Sequence, residues 1–329
     1  MSATPPRFDI LGIGNAIVDV VAPVTDAFIS HHDMRKGGMA LIDTETADRL
    51  YAAMPPGQES SGGSAANTCA VAAMLGARVA YIGCVADDEL GQVFRHDIAA
   101  VGVHFPTPAL SGGEPTARCL IMVTSDGQRT MNTYLGACVT LGPDAVDPAL
   151  VADAAVTYLE GYLFDRPEAQ EAFLAAAACA HQAGRQVALS LSDAFCVGRH
   201  RAAFRALVRD HIDILFANET EVTSLYETNT WQEAADLART EVALAVLTRG
   251  EDGSAILRGA ETVEVDPIWT TVIDTTGAGD AYAAGFLAAY AQGLELEACG
   301  RAASIAASAV IGHYGARPLA DLSGVLAEL

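Results

Sequence analysis

Lysine is almost absent from this chain of 329 residues, because Lys36 is the only one. A Walker A loop needs a lysine directly after its glycine-rich turn, and Lys36 in "MRKGGMA" does not occupy such a position. A pyridoxal Schiff base would also have to use Lys36, which disfavours that chemistry. If the protein binds a triphosphate, the charge must therefore be balanced by backbone N–H groups, arginine and a metal ion.

Basic residues are scarce as a class. The chain has 19 Lys and Arg residues against 41 Asp and Glu residues, which gives a formal net charge of −22. Such a charge disfavours nucleic acids and anionic membrane surfaces as partners. The simplest reason for it is solubility.

Cysteine pairs and long apolar runs are missing as well. The seven cysteines include no C-x-x-C pair and are typical of small buried side chains in a reducing compartment. The N-terminal run "ILGIGNAIVDVVAPV" is interrupted by Asn15 and Asp19, and no apolar span reaches the ~20 residues of a membrane helix. We expect neither a signal peptide nor a membrane span, and a cytoplasmic location.

The pattern of strands and helices favours one large α/β domain over residues 1–329. From about Ala155 onward, the strand-like runs "VTYLEG", "QVALSLS", "DILFAN" and "ALAVLTRG" alternate with helical segments. This alternation predicts a mainly parallel sheet covered by helices on both faces. The stretch from Ala278 to Ile311 is predicted to form two alanine-rich helices.

The first third of the chain has a different rhythm. "FDILGIG" and "IVDVVAPV" are predicted as strands around a tight Gly-Asn turn, and the stretch from Asp43 to Gly63 looks polar and broken by proline. "HHD" at His31 is predicted as a solvated loop. Because the early strands interleave with the main fold, we expect a small β lid formed by discontinuous segments, approximately residues 16–43 and 104–135.

The stretch "IDTTGAGDAYAAGF" combines two glycines and an acid at the start of a helix. Gly277 and Gly279 allow successive N–H groups to turn toward one anion, and the helix dipole adds to the attraction. Asp280 beside that turn could take the proton from a hydroxyl that attacks a γ-phosphate. The alternative is that Thr275, Thr276 and Asp280 only cap the helix.

Two further features indicate a ligand near the N-terminal half. "SGGSAANT" is a second glycine-rich entry to a helix, in which Asn67 offers both a donor and an acceptor; an ordinary loop-to-helix junction is the alternative. Asp19 lies inside an apolar strand pattern, where a carboxylate is costly unless it is paired or faces a ligand. It could bind two vicinal sugar hydroxyls, or it could be a satisfied turn residue.

The segment "NETE" leaves a buried strand and opens a helix. Asn218 is a natural N-cap with Glu221 at the N3 position, so a capping box is one interpretation and an acid near Mg²⁺ waters is the other. "DTTGAGD", "NETE" and "TRGEDG" should all lie at the carboxyl edge of the sheet, where open α/β sheets bind ligands.

Two other enzyme classes are disfavoured. "GIGNAI" at Gly12 lacks the third glycine of a dinucleotide fingerprint, which argues against an oxidoreductase. Ser64 does not fit the nucleophile elbow G-x-S-x-G, because position 66 is Ala, and this argues against a hydrolase.

Together the motifs resemble those of the ribokinase-like (PfkB) family of sugar and nucleoside kinases. "DTTGAGDAYAAGF" is similar to the family's C-terminal signature, "GGSAANT" to its N-terminal one and "NETE" to its N-x-x-E motif, and the match covers nearly the whole chain. The resemblance implies a three-layer α/β/α sandwich with a mainly parallel central sheet and a small β-sheet lid. It also implies Mg²⁺- and ATP-dependent phosphorylation of a hydroxymethyl group.

The resemblance also implies roles for individual residues. It makes Asp280 the base and the amides of Gly277, Ala278 and Gly279 the anion hole. The sugar hydroxyls would be bound by Asp19, Gly62, Gly63 and Asn67.

The remaining implied roles concern the nucleotide and the cations. Glu221 would hold Mg²⁺ through water, and Asp274 and Thr276, with the "GARP" loop at Gly315, resemble a K⁺ site. The residues placed near the nucleotide are Asn218, Thr248, Gly250, Gly253 and Thr276.

Within the family, "DILFANETE" and "LSLSDAF" are similar to stretches of adenosine kinases. Tyr162 falls where those enzymes place an aromatic ring on the purine, and Arg129 where they place a basic residue near the phosphates. Met39 stands where the eukaryotic type has a glutamine that reads the base, and methionine can pack on a ring without hydrogen bonding to it.

We therefore expect a kinase that phosphorylates the 5′-hydroxyl of adenosine or a related nucleoside. The alternative within the family is a sugar kinase acting on ribose, fructose or a similar sugar, and a nucleotide-binding protein without catalysis is the alternative outside it. The expected partners are ATP and a small acceptor, and the chain would be a monomer or a homodimer.

Overall fold

The computed structural model describes residues 5–329, so residues 1–4 of the predicted domain lie outside the described residues. Its strands are β1 (Phe8–Ile13), β2 (Ile17–Pro23), β3 (Met39–Leu41), β4 (Gln58–Gly62), β5 (Val79–Ile82), β6 (Ala117–Val123), β7 (Arg129–Tyr134), β8 (Ala154–Glu160), β9 (Gln186–Ser190), β10 (Ile214–Asn218), β11 (Leu244–Thr248), β12 (Ser254–Arg258) and β13 (Glu261–Val265). Its helices are α1 (Asp26–His31), α2 (Thr44–Ala53), α3 (Ser64–Met74), α4 (Glu89–Ala100), α5 (Pro148–Ala152), α6 (Pro167–Gln182), α7 (Ala194–His211), α8 (Glu219–Tyr226), α9 (Trp231–Glu241), α10 (Ala278–Ala291) and α11 (Leu296–Ile311).

The larger sheet has eight strands in the order β13-β12-β11-β10-β9-β8-β1-β5. The strands from β11 to β5 are all parallel, and β12 pairs antiparallel with β11 and β13. Neighbouring residues of one strand enter opposite cores, since side chains alternate along a strand. Tyr158 belongs to the buried cluster that includes side chains of α3, α10 and α11, whereas Leu159 belongs to the cluster that includes side chains of α6 and α7. The predicted three-layer α/β/α arrangement with a mainly parallel sheet is confirmed.

A second sheet of five strands has the order β3-β7-β6-β2-β4. In β2, Val18, Val20 and Ala22 are buried against the main body, while Ile17, Asp19 and Val21 are only partly buried on the other face. This alternation is typical of a strand with one covered face. The free face of the small sheet looks toward the carboxyl edge of the large sheet, because Ile17 and Asp19 share a cavity with the end of β10.

The predicted tight turn between the first two strands is wrong as a hairpin. The strands β1 and β2 do not pair with each other: β1 lies between β5 and β8, and β2 lies between β4 and β6. The chain crosses between sheets at Gly14–Asn15, where Glu160 accepts hydrogen bonds from the Asn15 backbone N–H (3.3 Å) and side chain (2.6 Å). A buried carboxylate, and not a hairpin register, holds this crossing.

Three other segments are more regular than predicted. The polar stretch before Gly63 contains α2, which Asp43 caps by accepting from the Thr46 N–H (2.8 Å), and the edge strand β4. The segment Ser254–Val265 forms the β12–β13 hairpin, which was not predicted from the sequence. His31 ends the short helix α1 and is not in a loop.

Candidate active site

Two helix starts face one cavity of about 560 Å³ between the two sheets. The helix α3 begins after Gly63 and α10 begins after Gly277. A second cavity, of about 350 Å³, adjoins the first, and both are lined by Thr248, Gly279 and Tyr282. Because helix N-termini carry unpaired N–H groups, this arrangement is suited to an anion at the junction.

Most of the residues predicted from the sequence line these cavities. The first cavity is lined by Asp19, Met39, Gly63, Asn67, Tyr162, Asn218, Glu221, Thr248, Thr276, Gly277, Gly279 and Asp280. The second cavity is lined by Thr248, Gly250, Gly253, Ala278 and Gly279. Gly62, Arg129 and Asp274 lie behind the walls and not in them.

Asp280 lies in the first turn of α10 and faces the start of α3. The Ser64 hydroxyl donates to Asp280 Oδ1 over 2.6 Å. Burial raises the pKa of Asp280 to about 7, although hydrogen bonds from Ser64 and Asn67 act in the opposite direction. A carboxylate whose pKa is near neutral and which points into a cavity can exchange a proton with a bound hydroxyl.

The turn before α10 depends on Gly277. Its φ is +77°, and a Cβ there would lie 2.7 Å from the backbone oxygen of Ala316. Gly279 differs, since no described atom outside its own stretch of α10 lies within 4 Å of the position that its Cβ would take. Gly277 thus shapes the turn against the chain, whereas Gly279 leaves space open on the cavity side.

The opposite end of the first cavity carries Asp19, Gly63 and Asn67, and Gly62 lies directly behind Asp19. Burial raises the pKa of Asp19 to about 6, while the charges of Arg317 and Arg129 act against the increase. A Cβ at Gly62 would overlap the Asp19 carboxylate, and one at Gly63, whose φ is +99°, would overlap the Asn15 carbonyl. Both glycines therefore permit close approach of backbone and carboxylate at this end.

Asn218 and Glu221 form the capping box that was one of the two interpretations. The Glu221 backbone N–H donates to Asn218 Oδ1 (2.9 Å), and the Asn218 backbone N–H donates to Glu221 Oε2 (2.9 Å). The Asn218 side chain donates to Glu221 Oε1 over 2.7 Å, and burial raises the pKa of Glu221 to about 7. Glu221 still lines the cavity, where its remaining lone pairs fit a metal-bound water better than the metal itself.

Asp274 is fully engaged within the protein. Its Oδ1 accepts from the Thr276 backbone N–H (3.0 Å) and hydroxyl (2.7 Å), and its Oδ2 accepts from the Gly315 N–H (3.1 Å) and from the Arg129 guanidinium. A potassium ion on this carboxylate does not fit while the guanidinium is bound, because two cations would compete for one charge. The potassium site stays a prediction of the resemblance, and no step depends on it.

Apart from Asp19 and Thr133, the wall that the small sheet contributes to the first cavity is apolar. Tyr162, whose exposed fraction is 44%, also lines this cavity. Met39, on the edge strand β3, is 61% exposed. The apolar residues of the small sheet that line this wall are Ile17, Met39, Cys119, Ile121 and Met131.

Two site residues were not identified from the sequence. Glu160 ends β8, is 1% exposed, and accepts from the Ala65 N–H (2.8 Å) at the start of α3. Its position at the carboxyl edge of a strand is a signal that could have found it. Arg317 donates a hydrogen bond to Asn67, which lies 250 positions earlier in the sequence, and no local pattern indicates that contact.

Two kinds of feature are absent from the described residues. Among residues 5–329, no helix has the length and apolar character that crossing a membrane requires. Within the same range, there is no group of three or more His, Cys, Asp or Glu side chains that could hold a metal ion.

Comparisons with known proteins give a consistent family. The model of the "pfkB family carbohydrate kinase" matches residues 39–321. A solved structure described as a probable sugar kinase from Rhizobium etli is 49% identical with a TM-score of 0.90, and it covers 98% of each chain. The adenosine kinase from Sinorhizobium meliloti is 50% identical with a TM-score of 0.89, covering 98% of this chain and 99% of the other.

A curated relative has a different name. The ribokinase of Arabidopsis thaliana is 30% identical over 284 residues, which cover 82% of this chain and 72% of that protein. The names of these relatives thus refer to different acceptors, and what the names have in common is kinase activity. The chain belongs to the pfkB family of carbohydrate kinases, and it is a phosphotransferase for which the family implies ATP as co-substrate.

Proposed function

We propose that this kinase transfers the γ-phosphate of ATP to the 5′-hydroxyl of a nucleoside, with adenosine or a close analogue as the acceptor. The observation that supports this acceptor is the apolar wall of the first cavity, beyond the polar end formed by Asp19 and Asn67. A nucleoside has a polar ribose and a flat, largely apolar face, and the cavity has the same division.

A free sugar fits the apolar wall less well. Sugars carry hydroxyl groups around the whole ring, and leaving a buried hydroxyl unpaired costs about 1–3 kcal/mol. Cys119, Ile121 and Met131 offer such a hydroxyl little compensation, whereas a base gains free energy by packing on them. Tyr162 at the rim adds an aromatic surface for the base.

The proposed mechanism gives each end of the site one task. Asp19 and Asn67 orient the ribose, so that its 5′-hydroxyl reaches Asp280, which takes the proton. The amides at Gly277–Gly279 bind the transferring phosphoryl group at the start of α10. Magnesium, when bound, would neutralise phosphate charge, and Glu221 would hold one of its waters. The small sheet would act as a lid that excludes water.

The second candidate is a sugar kinase, because the R. etli structure and the A. thaliana relative carry sugar-kinase names. A panel of nucleosides and free sugars in a coupled ADP-release assay separates the two candidates. We expect turnover with adenosine and little with ribose or fructose. Turnover with sugars and none with any nucleoside would refute the proposed acceptor.

Tyr162→Ala is expected to weaken nucleoside use selectively. Stacking of a base on an aromatic ring contributes about 1–3 kcal/mol, so KM for the nucleoside should rise roughly 5- to 150-fold. The matched control is Leu174→Ala, because Leu174 is also 44% exposed but lies on α6 outside both cavities. Equal effects of the two substitutions on KM would argue against a stacked base.

The pH dependence should report the proposed base. Because burial raises the pKa of Asp280 to about 7, the carboxylate form is the minor form below that pH and the major form above it. We expect kcat/KM to fall about tenfold per pH unit below 7 and to level off above it. A profile from about pH 5.5 to 9 measures this, and an acid limb that is absent would contradict the assignment.

A further inference from the structure

Arg317 connects the two motifs that form the site, although it lies in neither. Its Nε donates to Asn67 Oδ1 over 3.0 Å, and its Nη1 donates to Asp97 Oδ2 over 3.3 Å. Asp97 Oδ2 also accepts from the Ser61 N–H over 2.7 Å, just before the glycines that precede α3. The Arg317 side chain is 17% exposed, so the guanidinium is enclosed behind the cavity and held by two anchors.

The backbone beside Arg317 supports the other motif. The Gly315 N–H donates to Asp274 Oδ2 (3.1 Å), and Ala316 packs against Gly277, where a Cβ would lie 2.7 Å from its backbone oxygen. Residues 315–317 therefore contact both the turn before α10, at Asp274 and Gly277, and the start of α3, at Asn67. A side chain fixed in this loop is positioned relative to both helix starts.

The direction of the hydrogen bond from Arg317 determines how Asn67 is oriented. A guanidinium can only donate, so it must face the amide oxygen of Asn67 and never the amide nitrogen. The Nδ2 group, with its two donors, is then left for the cavity side, which Asn67 and Asp280 both line, and Asn67 acts to lower the pKa of Asp280. Without Arg317 the amide could rotate, and its oxygen would face a carboxylate.

The charge of Arg317 acts on the same carboxylates. It opposes the increase in the pKa of Asp19 and of Asp280 that burial causes. One of its nitrogens, Nη2, is buried without a hydrogen-bond partner among the described residues, so its charge is not fully compensated locally. The other titratable groups that act electrostatically with Asp280 are Asp19, Tyr158, Glu160, Tyr162 and Glu221.

We propose that Arg317 is a positioning residue, which fixes the amide of Asn67 with its nitrogen toward Asp280 and places a positive charge behind the cavity that Asp280 lines. The proposal deepens the proposed function, because it rests on Asp280 as the base. It assigns a task in proton transfer to the C-terminal loop. Arg317 itself touches neither the acceptor nor the phosphate.

Two substitutions of Arg317 separate its charge from its geometry. Arg317→Gln removes the charge, and we expect the acid limb of kcat/KM to move upward by about one pH unit. Arg317→Lys keeps the charge but loses the planar fork, so the limb should stay while the acceptor KM rises roughly tenfold. The control is Arg258→Gln at the exposed end of the otherwise buried strand β12, which should change neither quantity.

A third variant tests the orientation of the amide without altering Arg317. Asn67→Asp keeps an oxygen for the Arg317 Nε–H, so folding should be retained, but it removes the donor that faces Asp280. The titration of Asp280 can be followed directly by NMR with ¹³C-carboxyl aspartate, and Asp280→Asn assigns the resonance. We expect the pKa of Asp280 to increase in both Asn67→Asp and Arg317→Gln.

Failure of the Arg317 proposal can be distinguished from failure of the proposed function. An acceptor panel without turnover would refute the function, while the NMR titration would still report on Arg317. If Arg317 only stabilised the fold, Arg317→Gln and Arg317→Lys would both lower the melting temperature and leave the pKa of Asp280 unchanged. That result would overturn the proposal. An unchanged titration in Asn67→Asp would overturn the assigned amide orientation.

Discussion

Replacing Asp280 by asparagine is expected to abolish phosphoryl transfer while leaving ligand binding within a few fold. The amide has nearly the same shape and can still accept the hydrogen bond from Ser64 at Oδ1, so the first turn of α10 should keep its position. It cannot take a proton, however. Loss of a general base typically lowers kcat by about 10²–10⁴-fold. Loss of a partly buried charge should not destabilise the fold.

The measurement combines steady-state kinetics with calorimetric binding of acceptor and nucleotide. The matched control is Asp236→Asn, which changes the same atoms on the exposed face of α9 and should leave kcat unchanged. Turnover of Asp280→Asn at the wild-type rate would exclude Asp280 as the base. A parallel loss of binding would instead mean that the carboxylate mainly holds the ligand.

The local sequence was sufficient to predict a structural feature where all residues of that feature lie in one short segment. "GAGD" contains the helix start, the positive-φ glycine and the acid within four residues, so Gly277, Gly279 and Asp280 could be predicted together. The same holds for Asn218 and Glu221, because a capping box is a short-range pattern. The strands β8 to β11 were predictable because both of their faces are buried and their apolar runs are continuous.

Long-range pairing was not accessible in this way. Arg129 comes from the small sheet and binds Asp274, which lies 145 positions later, so neither residue's surroundings indicate the other. The prediction of a hairpin between β1 and β2 was wrong for the same reason. Two strands next to a Gly-Asn turn are typical of a hairpin, and nothing near them in the sequence indicates that Glu160 binds Asn15. Tertiary context here overrides local turn chemistry.

The Arg129–Asp274 ion pair also has a consequence for motion of the small sheet. Both side chains are 9% exposed, so the pair is enclosed when the two sheets approach as they do here. It links the strand β7 to the segment that leads into the turn before α10. Separating the small sheet from the segment before α10 would therefore leave one of these buried charges without its partner, which is costly.

Alanine at Gly279 is expected to remove activity without reducing stability. Apart from the neighbouring backbone of α10 itself, no atom of residues 5–329 lies within 4 Å of the added Cβ, and alanine favours the first turn of α10 more than glycine does. The methyl group would nevertheless occupy the junction of the two cavities, where the proposed phosphoryl group binds. Losing that interaction should lower kcat by about 10²–10³-fold.

Alanine at Gly277 provides the contrast, because it should reduce both activity and stability. The residue has φ +77°, which costs a side chain about 1–2 kcal/mol, and the Cβ would meet Ala316 at 2.7 Å. Melting temperatures and kcat measured for both variants form the test. A melting temperature for Gly279→Ala that falls as far as that of Gly277→Ala would show that both glycines only shape the turn. Full activity of Gly279→Ala would place the phosphate elsewhere, whereas a stable and inactive Gly279→Ala protein would locate it at the start of α10.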